Sequence, residues 1–175
     1  MPRSAALGVV FIIAASGAGC DRPTSSPVEG GGPGAWRVSE RGAGPVAAGM
    51  PLADAEKAAG LTLTTPGATE CGYATAPEAP DGLMFMVVDG RVARVDVTAP
   101  GVPTDSGIAV GDTEERVREV YGERVTSSPH KYTDGRYLTV APDAGHRLVF
   151  ETDGQHVTRY RGGRTPEVEW VEGCS

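Results

Sequence analysis

The residues most able to perform chemistry in this sequence are its cysteines and histidines, because thiolate and imidazole groups serve as nucleophiles, bases and metal ligands. They are, in chain order, Cys20, Cys71, His130, His146, His156 and Cys174. No CxxC pair occurs, and the histidines fall in or beside different predicted strands without ligand spacing. The pattern favours exposed or turn-flanking histidines over a zinc site, and we expect no metal and no cofactor.

Motifs of the common catalytic classes are also missing from the sequence. It contains no Walker loop, no GxSxG and no HExxH, and its glycine run at 30–34 has no strand before it and no helix close behind it. Carboxylates are numerous, but most lie on predicted helix faces or turns. We therefore expect a protein that is not an enzyme; a cell-wall hydrolase or a free reactive thiol is the catalytic alternative.

The N-terminus has the order of a bacterial export signal. Arg3 supplies a positive charge, Ala5 to Ala15 form an uncharged apolar run, and small residues follow up to Cys20. The apolar run is about half of the roughly 20 residues that cross a bilayer as a helix, so a permanent membrane span is not expected. We predict a signal peptide over residues 1–19.

The residues around the predicted cleavage point resemble the lipobox of bacterial lipoproteins. Ala18 and Gly19 precede Cys20 as small residues do in that motif, although Gly17 stands where an aliphatic residue is usual. The resemblance implies that Cys20 is lipidated, with an ordinary secretory signal as the alternative. Residues 21–35 are rich in Pro, Ser and Gly, which predicts a flexible tether. Asp21 resembles an inner-membrane retention signal of some lipoproteins.

The remaining cysteines and the net charge restrict the class of protein further. With Cys20 lipidated, Cys71 and Cys174 form an even pair in an oxidising compartment, which predicts a disulfide closing a loop of about a hundred residues. The full chain has 16 basic and 23 acidic residues, and it has no basic run. This balance argues against nucleic-acid binding and against electrostatic adhesion to a membrane.

A repeat with a period of about 62 residues organises the predicted domain. The segment 48–60 aligns without gaps on 110–122; both carry helical apolar spacing and both end in glycine. Pro51 suits the first helical position, and Asp112 with Glu115 has capping-box spacing. We predict one α+β domain over 36–175, with repeats 36–105 and 106–175. Each repeat is a short helix plus an antiparallel meander of three or four strands, with the helices on one sheet face.

Asp-Gly pairs predict the hairpins of the meanders, at 89–90, 134–135 and 153–154. With a two-residue turn at 89–90, alternate residues of the two paired strands would point to opposite faces of the sheet. Predicted to face the core are Met84, Met86, Val88, Ala93, Val95, Leu148 and Phe150. Predicted to face away are Phe85, Val87, Val92, Arg94, Asp96, Val149, Glu151, Val157, Arg159 and Arg161. We also expect Trp170 to lie in a last strand.

These features together resemble the β-lactamase inhibitory protein superfamily. The resemblance rests on Gly44-Pro45-Val46-Ala47-Ala48-Gly49-Met50, a short helix ending in glycine and a hairpin meander, in tandem over about 36–174. The second copy, 106–112, lacks the Met. That superfamily includes single-unit lipoproteins of the β-barrel assembly machinery. The chain is also similar to lipoproteins of high-GC bacteria. The resemblance implies fold and location, and it identifies no contact residues.

The uncovered sheet face is the predicted binding surface. Arg and aromatic side chains are enriched in protein interfaces, and Arg94 and Arg159 occupy equivalent repeat positions beside Phe85 and Glu151. Cross-strand salt bridges are the alternative role of both arginines. Tyr132 and Tyr137 are expected to face each other across a hairpin, either as a sticky patch or as a stabilising pair.

The combined expectation is a lipid-anchored envelope protein, facing the periplasm or the exterior, that binds another envelope or secreted protein. Contact with the membrane would run only through the lipid, and a secreted protein is the alternative. A structural or assembly role in the outer envelope is the second hypothesis. An enzyme inhibitor or a cell-wall hydrolase is the third.

Overall fold

The computed structural model describes residue 1 and residues 36–65, 70–141 and 143–174. The predicted cleavage region, Cys20 and the tether lie outside the described residues. The described chain is α+β, as predicted, with two α-helices and antiparallel sheets of three and seven strands. None of the helices in this part of the chain is long and apolar enough to cross a bilayer.

The three-stranded sheet precedes the first helix and is built from two-residue strands. Its strands, in order, are β1 (Val38–Ser39), β2 (Gly42–Ala43) and β3 (Val46–Ala47). Gly42 has a φ of +142°, and a Cβ there would lie 2.0 Å from the carbonyl oxygen of Val46. Only glycine therefore allows β2 to run this close to β3.

The seven-stranded sheet has the order β4-β5-β6-β10-β9-β8-β7, with every neighbouring pair antiparallel. Its strands are β4 (Cys71–Ala74), β5 (Leu83–Val88), β6 (Arg91–Val97), β7 (Val125–Pro129), β8 (Arg136–Val140), β9 (His146–Thr152) and β10 (Val157–Arg164). The two edges are therefore β4 and β7, and β7 is mostly exposed and ends at a proline.

The two helices occupy the predicted segments, as α1 (Leu52–Ala59) and α2 (Glu114–Tyr121). Gly60 ends α1 in the left-handed conformation, with φ +65°. The predicted cap of α2 is wrong by one residue: Thr113 accepts from the Arg116 amide at 3.1 Å, whereas Asp112 accepts from the Ala109 amide at 2.7 Å. Asp112 therefore stabilises the loop before the helix and does not cap the helix.

Both helices pack against one hydrophobic cluster, which includes the sheet's inner face. The helical members of this cluster are Ala55, Val117 and Tyr121. Its strand members include Leu83, Phe85, Val87, Val92, Val95, Val97, Leu138, Val140, Leu148, Phe150, Val157 and Tyr160. Burial of these side chains is the main source of stability for a domain of this size.

A bulge between β5 and β6 overturns part of the predicted face assignment. Val88 pairs with Arg91 as expected, but the register then shifts, so Met86 pairs with Arg94 and Phe85 with Val95. A bulge adds one residue to one strand and reverses the alternation beyond it. Phe85, Val87 and Val92 therefore belong to the core cluster, against prediction, and Val157 does so beside a second shift in β10.

Candidate functional site

The C-terminal segment lies across the sheet face opposite the core cluster. We call residues 165–174 the strap. It contains a 3-10 helix, Glu167–Glu169, that contacts β6, β9 and β10. The strap joins no strand of the sheet, so the predicted last strand around Trp170 is wrong. The sheet face that was expected to be uncovered is therefore largely covered by the chain itself.

Arg94 on β6 is the main anchor of the strap, and only 2% of it is exposed. Its Nη1 donates to the carbonyl oxygens of Glu167, at 2.9 Å, and Trp170, at 2.6 Å. Its Nε donates to the Asp96 carboxylate at 2.9 Å, and its Nη2 to the Tyr73 hydroxyl at 2.8 Å. A buried arginine is stable only when its donors are paired in this way.

Glycine in the neighbouring strand makes room for this arginine. Gly163 on β10 pairs with Arg94, and a Cβ at Gly163 would lie 2.4 Å from the Arg94 Cβ. Any larger residue at this position would push the arginine out of its place between the sheet and the strap.

Arg161 and Glu151 form the second buried ion pair of the same face, on neighbouring strands. Arg161 Nη1 contacts a Glu151 oxygen, and Arg161 Nε donates to the Val168 carbonyl at 2.6 Å. Glu151 also accepts from His130 Nε2 at 3.2 Å and pairs with Arg159 Nε at 3.3 Å. Carboxylate oxygens accept only, so the imidazole nitrogen is the donor.

The pKa values of Asp96 and Glu151 are shifted in opposite directions. Burial raises the pKa of Asp96 above its ordinary value, and the Arg94 charge offsets this only in part. Burial also acts to raise the pKa of Glu151, but the charge of Arg161 and the hydrogen bond from His130 overcome it. Arg159 adds to their effect, and the pKa of Glu151 lies below its ordinary value.

The destabilisation caused by Glu151→Gln should therefore become smaller as the solution becomes acidic. A carboxyl whose pKa is lowered in the folded state stabilises the fold above its unfolded pKa. It ceases to do so as the pH falls through the folded pKa. We expect this variant to be less stable than the wild type at pH 7, with the difference shrinking between pH 5 and pH 3. Urea unfolding across that range is the measurement.

The matched control is Glu123→Gln, at an exposed position. It should leave the pH profile of the wild type unchanged. A stability difference between Glu151→Gln and the wild type that stayed constant from pH 7 to pH 3 would contradict the ionised, arginine-bound state of Glu151.

The structure separates the four predicted binding residues of the sheet face into three groups. Phe85 is 1% exposed within the core cluster, so the prediction that it faces a partner is wrong. Arg94 and Glu151 lie on the predicted face, but they are buried in ion pairs beneath or beside the strap. The Arg159 side chain is 60% exposed. Arg94 and Glu151 therefore have structural partners, and Arg159 remains accessible.

The tyrosines are not paired as the predicted hairpin required. The loop between β7 and β8 spans 130–135, longer than a two-residue turn, because β7 ends at Pro129. Tyr137 stacks on His130, with ring centroids 4.5 Å apart, and it pairs with Ser128 across the strands. Tyr132 is 59% exposed in the loop.

An exposed patch extends from this loop to the strap. Lys131 Nζ lies 4.9 Å from the centroid of the Tyr132 ring and 2.9 Å from a Glu172 oxygen. Glu172 lines a surface groove together with Trp170, which is 38% exposed. We call Lys131, Tyr132, Arg159 and Trp170 the hairpin patch. Sequence reasoning identified Tyr132 and Arg159 but missed Trp170, because the Glu-Val-Glu-Trp-Val pattern resembles a strand.

The predicted disulfide is present between Cys71, the first residue of β4, and Cys174, at the end of the strap. It joins residues 103 positions apart.

Within the described ranges, no group of three or more His, Cys, Asp or Glu could hold a metal ion. On this face, the guanidinium groups of Arg94 and Arg161 bind backbone carbonyls of the strap.

Comparison with known proteins gives little similarity. No protein-family model matches the chain, and no curated protein sequence matches it either. The crystal structure of the uncharacterized protein yfeY from Escherichia coli aligns with 73% of this chain and 99% of its own. The TM-score is 0.47 and the sequence identity 16%.

Proposed function

We propose that this protein is an exported, lipid-anchored envelope protein whose domain is a duplicated helix-plus-meander unit that binds another protein without catalysis. The hairpin patch is the proposed binding surface. The observation that carries this proposal is the exposure of Tyr132 and Trp170. Apart from the terminal Met1, these are the large hydrophobic side chains that are exposed in the described residues.

The composition of the patch supports a protein partner. Tyr, Trp and Arg supply much of the binding energy at protein interfaces, because each buries a large surface and offers a polar group. Tyr132, Trp170 and Arg159 are of these three types. Lys131 and Arg159 bring positive charge to a protein with a formal net charge of −7. We infer a partner surface that offers apolar contacts and carboxylates.

A photo-crosslinking amino acid at position 132 tests the binding surface in intact cells. We expect one or a few defined crosslinked products in the membrane fraction, and we expect Arg159→Ala to reduce their yield several-fold. The matched control carries the same crosslinker in place of Glu119, whose exposed side chain is on α2. Identical products from positions 132 and 119, or no products at 132, would contradict a binding patch.

The same cells test the anchor through Cys20→Ala. Without a thiol at the predicted lipidation position the protein should leave the membrane fraction, because the lipid is its proposed attachment. Retention of the Cys20→Ala variant in the membrane would overturn the anchor while leaving the crosslinking result interpretable.

A further inference from the structure

We propose that the sheet face beneath the strap is a binding site for an acidic peptide. In this proposal the strap occupies the site as an internal ligand, and the disulfide between Cys71 and Cys174 keeps it there. Peptide binding to this covered face does not require the hairpin patch to bind a partner.

The first support is the way in which the strap is held. Arg94 and Arg161 donate to the carbonyl oxygens of residues 167, 168 and 170, and these are main-chain atoms that any peptide offers. Val168 adds a fully buried apolar side chain. Main-chain hydrogen bonds together with a pocket for a side chain are also how several known domains hold peptides.

Charge complementarity is the second support. The strap carries Glu167, Glu169 and Glu172, and each pairs with a cation outside the strap. The three pairs are Arg164 Nη2 with Glu167 at 2.8 Å, Arg147 Nε with Glu169 at 3.4 Å, and Lys131 Nζ with Glu172 at 2.9 Å. A ligand that replaced the strap would meet the same cations, so it should be acidic at similar spacing.

The third support is that both buried arginines keep partners without the strap. Arg94 retains Asp96 and the Tyr73 hydroxyl, and Arg161 retains Glu151. These partners belong to the sheet. The guanidinium groups would therefore stay oriented when the strap leaves, so the site is organised before a ligand arrives.

The disulfide supplies the means of control. Cys174 ends the described part of the strap, and both sulfur-bearing residues are partly exposed beside the groove at Trp170. A dithiol reductant can break the S–S bond: its two thiols become a disulfide, and the two electrons and two protons leave thiols on Cys71 and Cys174. The strap would then be held by noncovalent contacts alone and could exchange with a peptide.

The test uses the full chain and a fluorescein-labelled peptide with the sequence of residues 165–173. Fluorescence polarisation is measured with the oxidised protein, with the protein reduced by dithiothreitol, and with reduced Val168→Asp, whose own strap should compete poorly. We expect at least tenfold tighter apparent binding to the reduced protein than to the oxidised protein, and tighter binding still to reduced Val168→Asp. A peptide with glutamine at the three glutamate positions should bind at least tenfold more weakly.

Two protein variants locate the binding. Arg147→Gln should weaken binding of the peptide, because it removes the partner of Glu169. Arg116→Gln, on the exposed surface of α2, should not. Hydrogen exchange of residues 167–170 shows directly whether reduction releases the strap. Unchanged protection after reduction would overturn the role of the disulfide in holding the strap. A released strap without peptide binding in either reduced protein would overturn the binding site.

Discussion

Replacing both Cys71 and Cys174 with serine is expected to lower the free energy of unfolding by about 4 kcal/mol. The bond joins residues 103 apart, and in the chain-entropy model a cross-link of about this length restricts the unfolded chain by roughly that amount. For a domain of this size the midpoint of thermal unfolding should fall by on the order of 10–20 °C. Urea unfolding of the oxidised wild type and of the double variant measures the difference.

Reduction of the wild type provides the matched control for the double variant. Because both proteins lack the cross-link and serine is close to cysteine in size, the reduced wild type and the double variant should unfold at similar urea concentrations. A difference below 1 kcal/mol between the oxidised wild type and the double variant would show that the cross-link restricts the unfolded chain far less than its length predicts.

The Arg94→Met variant should lose about 3–5 kcal/mol of stability, because it leaves Asp96 as a buried charge without its partner. It also removes the donors to the Glu167 and Trp170 carbonyls and to the Tyr73 hydroxyl. The control is Arg159→Met on the same sheet face. The Arg159 side chain is 60% exposed, so losing its ion pair should cost under about 1 kcal/mol. Chemical unfolding at pH 7 compares the two variants.

A double-mutant cycle shows whether the stability lost in Arg94→Met comes from the Asp96 carboxylate that is left without its partner. In Arg94→Met/Asp96→Asn neither charge of this pair remains, so the double variant should be less destabilised than the sum of the two single variants. Strict additivity, or equal losses in Arg94→Met and Arg159→Met, would show that the buried pair is not what anchors this face.

Local sequence signals predicted the elements of this fold well. Glycine at 60 and 122, proline at 51 and the apolar spacing between them placed both helices, and the Asp-Gly pair at 89–90 placed the hairpin of β5 and β6. The cysteine count predicted the disulfide. Each of these signals acts over a few residues or through a covalent constraint, so it is visible without the tertiary structure.

The face assignment and the strap could not be predicted in the same way. The extra residue between Val92 and Arg94 reverses the alternation of β6, yet no glycine or proline marks it. Arg94 is buried because it meets carbonyls 73 and 76 residues away. Local propensity carries no information about such distant partners, and a buried arginine has the same sequence signature as an exposed one.

The edge strand β7 has a consequence for how copies of this protein behave side by side. An unpaired edge strand can form backbone hydrogen bonds with a strand of a neighbouring molecule. Molecules confined to one plane, as on the proposed membrane surface, meet far more often than in free solution. Pro129 has no amide hydrogen to offer such a neighbour, and β7 is only five residues long. The proline and the short length of β7 therefore disfavour edge-to-edge pairing between copies at the most exposed edge of the sheet.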